Sequence, residues 1–387
     1  LIEVTDVPSK GRLAIRELER GTVTPARIAE FLDKHEFPLV EGTSVTFVWQ
    51  GHASAVHLRN WIYGLPTTQP FRRMGPTDLW YLIMELPENS RVEYKLEIVR
   101  GADHQLIQDP LNDRLARDPF GANSVCQTEG YEVPDWTRED PEARPGRLET
   151  MSVKSAALGE SRDVQLYFPA RYRTSRRYPL LVVHDGQDYL QYSGLKTVLD
   201  NLIHRLEIPG MVVALIESDR RLVEYANHEP HVDFIAADLV PQLEKELPLI
   251  GRPSGRALMG ASFGAVSAFS TACAHPGMFG RLLLQSGSFA FSDVGLHERG
   301  PAFDPVVDFV NAYRDDPIRV SDRVFLSCGT YESLIYENRS FVPILQATGM
   351  DVRYVEARDG HNWENWRDRL REGLSWLFPG PLWMVYE

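Results

Sequence analysis

The alternation of apolar and polar positions divides the chain into stretches of different character. Residues 1–40 read as helical. Thr24-Pro25-Ala26-Arg27 offers an N-cap with proline at the first helical position, and Ile28, Phe31 and Leu32 follow on one face. From about residue 43 to 132 the period shortens to two. Val45–Trp49, Ala55–Trp61, Leu79–Leu86 and Arg91–Val99 are short β-type runs bounded by Gly, Pro and Asn, which predicts a small β-sandwich. Residues 133–147, VPDWTREDPEARPGR, are polar and proline-rich and read as a linker.

Beyond the linker, apolar runs alternate with amphipathic ones. Strands are expected at Val164–Phe168, Pro179–His184, Met211–Ile216, Arg256–Gly260, Arg281–Gln285, Val324–Ser327 and Val352–Glu356. Helices are expected at Gly194–Leu206, Phe234–Leu247 with a kink at Pro241, Phe263–Ala274, Asp304–Tyr313, Ser340–Thr348 and Trp363–Leu377. Unbroken apolar strands between such helices predict a mostly parallel sheet covered on both faces. The expected layout is a β-rich domain with a leading helix over 1–132, the linker, and an α/β domain over 148–387.

The most informative segment is Gly260-Ala261-Ser262-Phe263-Gly264, a G-x-S-x-G run between a strand and a helix. A bare match is weak, and a serine in a glycine-rich turn is the bland alternative. The strand–turn–helix context favours a strained elbow that lifts the Ser262 hydroxyl out of the sheet at a helix N-terminus. A serine needs a base to act as a nucleophile. Among 11 histidines, His361 is the best placed, in the loop between the last strand and the closing helix. The acid should follow the preceding strand, where Glu332 stands, to orient the imidazole. Glu337 is its rival. Asp322 lies before that strand, at the wrong edge, and Asp359 is too close in sequence to His361. Oxyanion donors are expected from the backbone of Phe263 and from Gly186 or Gln187 in the loop after an early strand. His184, beside that strand, reads as structural or as a pocket wall.

Composition narrows the partners. Lys and Arg total 41 against 54 Asp and Glu, a net charge of -13, which argues against general nucleic-acid binding. Three cysteines build no disulfide framework and fit a reducing compartment. The start shows no basic segment followed by an apolar run, and no apolar stretch is long enough to span a membrane, so a cytoplasmic protein is expected. Phosphate-loop, zinc and dinucleotide motifs are absent from the sequence, so neither a metal nor a cofactor is expected. The sequence leaves the oligomeric state open.

Several ordered motifs together resemble the enterochelin (ferric enterobactin) esterase-like group of the esterase D superfamily, over roughly residues 150–378. They are His184-Asp185-Gly186-Gln187-Asp188-Tyr189, Arg221-Leu222-Val223-Glu224-Tyr225, the Ser262 segment, Phe279-Gly280-Arg281, Gln285-Ser286-Gly287-Ser288-Phe289, Gly329-Thr330-Tyr331-Glu332, and Asp359-Gly360-His361-Asn362-Trp363 with Trp366-Arg367. The resemblance implies an α/β-hydrolase fold, a serine–carboxylate–histidine triad at the matching positions and a small-molecule ester substrate. In that family the best-known substrate is the trilactone of a catecholate siderophore. The N-terminal region resembles the immunoglobulin-like domain of such enzymes through its pattern and Asp109-Pro110-Leu111-Asn112. A polyanionic siderophore would call for cations, with Arg220 and Arg221 as candidates and Arg72-Arg73 as reserves. Asp185 and Trp363 complete the expected binding set; Trp363 and Trp366 are candidates to line a pocket for an aromatic acyl group, with packing at helical spacing as the alternative. The net charge argues against a polyanion. Feruloyl or acetyl sugar esters, acyl transfer to an alcohol, and a non-catalytic carbohydrate- or partner-binding role are the competing readings.

Overall fold

In this computed structural model, the structure describes residues 12–293 and 296–381. The segment 1–11, read above for a leader, lies outside the described residues. Among the described residues no helix is long and apolar enough to cross a membrane.

The chain forms two compact units. The first holds the chain up to Glu132 together with Thr330–Glu332 and Arg358–Gly360. Its helix Pro25–Lys34 is capped as expected, the Thr24 side chain accepting from the Arg27 amide, and it buries Ile28 and Phe31. A four-stranded and a six-stranded sheet follow. Period-two alternation puts Val92, Tyr94, Leu96 and Ile98 of strand Arg91–Arg100 into one core with Phe47 and Trp80 of the other sheet. Phe47 meets Tyr94 edge-on at 4.9 Å. The Asp109–Asn112 run is a buried polar knot: Tyr94 Oη donates to Asp109 Oδ2 at 2.6 Å and accepts from Asn112 Nδ2 at 3.0 Å. The two returning segments are held by backbone bonds, Tyr63 N to Tyr331 O at 2.8 Å and Arg91 N to Arg358 O at 2.9 Å. The fully buried Arg91 guanidinium pairs with Glu93 at 2.8 Å and Asp359 at 3.3 Å.

The second unit is built on eight strands: β1 (Arg147–Ser155), β2 (Glu160–Phe168), β3 (Leu180–His184), β4 (Val212–Ile216), β5 (Arg256–Ala261), β6 (Arg281–Gln285), β7 (Arg323–Gly329) and β8 (Asp351–Ala357). Their order is β1-β2-β4-β3-β5-β6-β7-β8, with β1, β2 and β4 antiparallel in succession and every pairing from β4 to β8 parallel. This is the mixed sheet of an α/β hydrolase. Alternation along the buried strands feeds two cores. Leu180, Val182, Leu258 and Leu282 face one, with helix Phe263–Ala274 packed over them. Leu181, Val183, Met259 and Leu283 face the other, under the helices Leu195–His204 and Trp363–Leu377.

Several elements differ from the sequence expectation. β1 begins inside the expected linker, and its polar, largely exposed residues give no apolar run to read. The linker itself is pinned: Trp136 is buried, and Asn201 Nδ2 donates to Trp136 O at 2.8 Å. A further helix, Gly186–Tyr192, follows β3 directly. The expected kink at Pro241 is a π-helical stretch over Phe234–Leu239, just before the proline. A helix interior lacks a donor at proline, and the widened turn absorbs the loss.

Candidate active site

Ser262 caps the N-terminus of helix Phe263–Ala274 with φ 58° and ψ −122°, an uncommon backbone for a residue with a Cβ. Two contacts impose it. A Cβ on Gly260 would lie 2.3 Å from the Gly264 carbonyl, so the strand and helix cross where only glycine fits. The Ser262 amide donates to Gln285 O at 3.0 Å, tying the turn to β6. The amide of Phe263 opens the helix and has no intrahelical acceptor, as at any helix start. The helix dipole adds partial positive charge there.

Beside the turn, Ser262 Oγ and Ser288 Oγ lie 3.2 Å apart, and the Ser288 amide donates to Ser262 O at 3.2 Å. Gln285 is fully buried and bridges three elements. Its Oε1 accepts from Tyr189 Oη at 2.6 Å, and its Nε2 donates to Trp366 O at 2.9 Å. Trp366 Nε1 in turn donates to Ser286 Oγ at 2.8 Å. The Gln285–Phe289 motif by itself assigns no role to Gln285 or Ser288. A glutamine closing an otherwise apolar strand is the signal the sequence offers.

His361 is exposed, in the loop after β8, with its ring edge-on to Trp366 at 5.0 Å and 88°. Because β5 and β8 belong to the parallel part of the sheet, Ser262 and His361 leave it at the same end. Glu332 is buried, three residues past the end of β7, in one of the short segments that belong to the first unit. The rival Glu337 sits in helix Ile335–Ala347 and is ion-paired with Arg299. Asp322 precedes β7 at the opposite end and pairs with Arg319 at 3.1 Å. Asp359 is buried against Arg91.

The loop after β3 carries the other expected donors. Asp185 has φ 53° and is held by a two-pronged bond from Arg221, Nε to Oδ1 at 3.0 Å and Nη2 to Oδ2 at 2.7 Å. Gly186 packs so closely on β4 that a Cβ would lie 2.5 Å from the Leu215 Cβ. The Gln187 amide donates to Glu217 Oε1 at the end of β4, a contact no motif announced. Burial, reinforced by the negative charges of Asp185 and Asp188, raises Glu217 to about 7 against the bond from Gln187. Asp188 is also raised, by burial and by Asp185.

The expected substrate arginines have local partners. Arg221 is committed to Asp185, and the exposed Arg220 pairs with Glu224 at 3.3 Å. In the first unit, Arg72 pairs with Glu19 at 3.5 Å and Arg73 Nε donates to Thr77 O at 2.6 Å. Trp363 is partly buried in an aromatic cluster, 5.1 Å from Tyr189 and 4.7 Å from Trp366. Behind the loop, His184 is fully buried, with Nδ1 3.0 Å from Met259 O and its ring 5.7 Å from that of buried His231. Burial lowers His184 to about 4 and His231 to about 3, so both rings stay neutral.

A family model described as "Putative esterase" matches residues 155–377, more than half of the chain. An iron(III) enterobactin esterase of Escherichia coli O6:H1 is 25% identical over 85% of this chain and 90% of its own length. The iron(III) enterobactin esterase of Dickeya dadantii is 24% identical over 81% and 80%. Among solved structures, the enterobactin esterase FES from Shigella flexneri in the presence of enterobactin superposes with TM-score 0.69 at 23% identity, covering 86% of this chain and 92% of that one. The chain therefore belongs to this esterase family, as an enterochelin esterase-like protein.

Proposed function

We propose that this protein is a serine esterase that opens an enterobactin-type catecholate trilactone. The Ser262 turn carries the reading: a left-handed serine between a buried parallel strand and a buried helix, with its hydroxyl at the helix start. Ser262 Oγ attacks the ester carbonyl carbon while its proton passes to the His361 imidazole, which Glu332 orients. The carbonyl oxygen becomes an oxyanion facing the Phe263 amide and a second amide at Gly186 or Gln187. The C–O bond to the alcohol then breaks, and the proton on His361 goes to the departing alkoxide. Water repeats the sequence on the acyl-Ser262 ester. The balance is one ester and one water giving one acid and one alcohol. The two-sheet first unit supports an immunoglobulin-like module preceding the hydrolase.

The relatives named as iron(III) enterobactin esterases support the substrate class. The ion pairs of Arg220 and Arg221, and the carboxyl groups of Asp188 and Glu217, favour the iron-free, less anionic ester over the ferric complex. The test offers the full-length protein cyclic and linear catecholate-serine esters, with and without iron, beside feruloyl and acetyl sugars. The iron-free trilactone is expected to be hydrolysed fastest, and Ser262→Ala to lose several orders of magnitude. Full activity in Ser262→Ala overturns the mechanism, and a preference for acetyl sugars overturns the substrate.

A further inference from the structure

Of the two amides proposed as the second oxyanion donor, that of Gln187 is occupied by the protein's own carboxylate. Gln187 follows the glycine that lies flat on β4, and its N–H points to Glu217 Oε1 at the end of that strand. Its side chain is fixed as well, Nε2 donating to Gln165 Oε1 on β2. An oxyanion and a carboxylate oxygen are chemically alike as acceptors, so one N–H cannot serve both at full strength. We infer that Glu217 is a built-in competitor for the Gln187 donor, and that an ester carbonyl reaches that amide only when the carboxylate yields it. The inference rests on the hydrolase reading above.

The surroundings make the carboxylate displaceable. Asp185 and Asp188 face it from the β3 loop and the helix after it, and both repel its charge. Arg221, from helix Arg221–Glu224, attracts it but spends its two bonds on Asp185. From β2, Arg162 donates to the Glu217 backbone carbonyl at 3.4 Å, leaving the side chain aside. Burial opposes ionisation, which brings the group to about 7. Raising the pH through that value strengthens the hold on Gln187, because a charged acceptor binds an N–H more tightly than a neutral one. The same negative charge selects against esters with an anionic group next to the carbonyl.

The test compares wild type, Glu217→Ala and Glu217→Gln of the full chain on p-nitrophenyl acetate from pH 6 to 9. Each is also run in a Ser262→Ala background. Glu217→Ala is expected to raise kcat/KM about tenfold at pH 8.5 and about twofold at pH 6. Glu217→Gln keeps the shape and removes the charge, so its gain lies between, and its profile loses the ionisation near neutrality. If Ser262→Ala is inactive yet both Glu217 variants equal or fall below wild type across the range, the competitor is overturned while the hydrolase stands. If Ser262→Ala keeps full activity, the hydrolase reading falls and this one with it.

Discussion

The Ser262 and Ser288 side chains face each other with their oxygens 3.2 Å apart, while the Ser288 amide holds the Ser262 carbonyl at the same distance. Ser288 is nearly fully buried, so its hydroxyl has few other directions to turn. These two contacts suit it to position the proposed nucleophile. Ser288→Ala removes one neutral hydrogen bond, worth about 1 kcal/mol. The expected result is a fall in kcat of about fivefold with KM unchanged, measured on a p-nitrophenyl ester.

Gly260 sets the crossing of strand and helix. Its ideal Cβ would meet the Gly264 carbonyl carbon and oxygen at 2.3 Å, and backbone cannot swing aside as a side chain can. Gly260→Ala should cost at least about 2 kcal/mol, in the range of overpacked cores. It should also displace Ser262. Activity is expected to fall further than the loss of folded protein explains, as read from thermal melts beside assays.

Legibility differed between elements for physical reasons. β3, β5 and β6 are buried throughout or nearly so and announce themselves as apolar runs, and the Ser262 turn announces itself by glycine spacing. β1 is a largely exposed edge strand whose polar residues look like linker. The helix Gly186–Tyr192 starts inside what reads as the loop after an early strand. Long-range pairings were the least legible part. Arg221 finds Asp185 at a separation of 36 residues, and Gln187 finds Glu217 at 30, distances over which one sequence carries no pairing signal. Arg221, a candidate substrate ligand by sequence, is paired with the loop residue Asp185.

That pairing is testable. Asp185 is 3% exposed and adopts a left-handed backbone that its partner stabilises. Removing one member of a buried pair costs about 3–5 kcal/mol, and less here because a third of the Arg221 side chain reaches solvent. Arg221→Ala is expected to lose about 2 kcal/mol in urea unfolding. Activity should fall too, since the loop bearing the Gly186 and Gln187 amides loosens.

Acid should destabilise the second unit through its two buried imidazoles, against an opposite contribution from Glu217. His184 and His231 are neutral when folded, lowered by burial to about 4 and about 3, whereas the unfolded imidazole titrates near 6.5. Above about 6.5 neither state binds the extra proton and the stability is fully present. As the pH falls below that value, the unfolded chain takes up protons first, and stability drops by up to about 1.4 kcal/mol per pH unit for each ring. Glu224 is lowered to about 2, the Arg162 and Ser218 bonds outweighing burial. It adds loss in the same direction, only below about 4.5. Glu217, raised to about 7, works the other way in this window, because its folded carboxylate takes up a proton before the unfolded one does. Urea midpoints are expected to fall from about pH 6.5 to about 4.5 with a slope near that of one ring, and His231→Phe should remove most of it.

Gln285 supplies the most demanding test of how the site is assembled. Its side chain accepts from Tyr189 on the helix after β3 and donates to the Trp366 carbonyl in the closing helix, while its own carbonyl holds the Ser262 amide. The same helix packs Trp366 against His361, so one glutamine ties the loop of the proposed oxyanion donors to the element that positions the proposed base. Gln285→Leu fills similar space but leaves a buried tyrosine hydroxyl and a buried carbonyl without that partner, at about 1–3 kcal/mol each. Gln285→Glu restores the acceptor for Tyr189 and loses the donor to Trp366. If the bridge aligns the site, kcat should fall in both variants and further in Leu, with KM changing little. A variant that lost stability but kept wild-type kcat in its folded fraction would show that Gln285 only supports the fold.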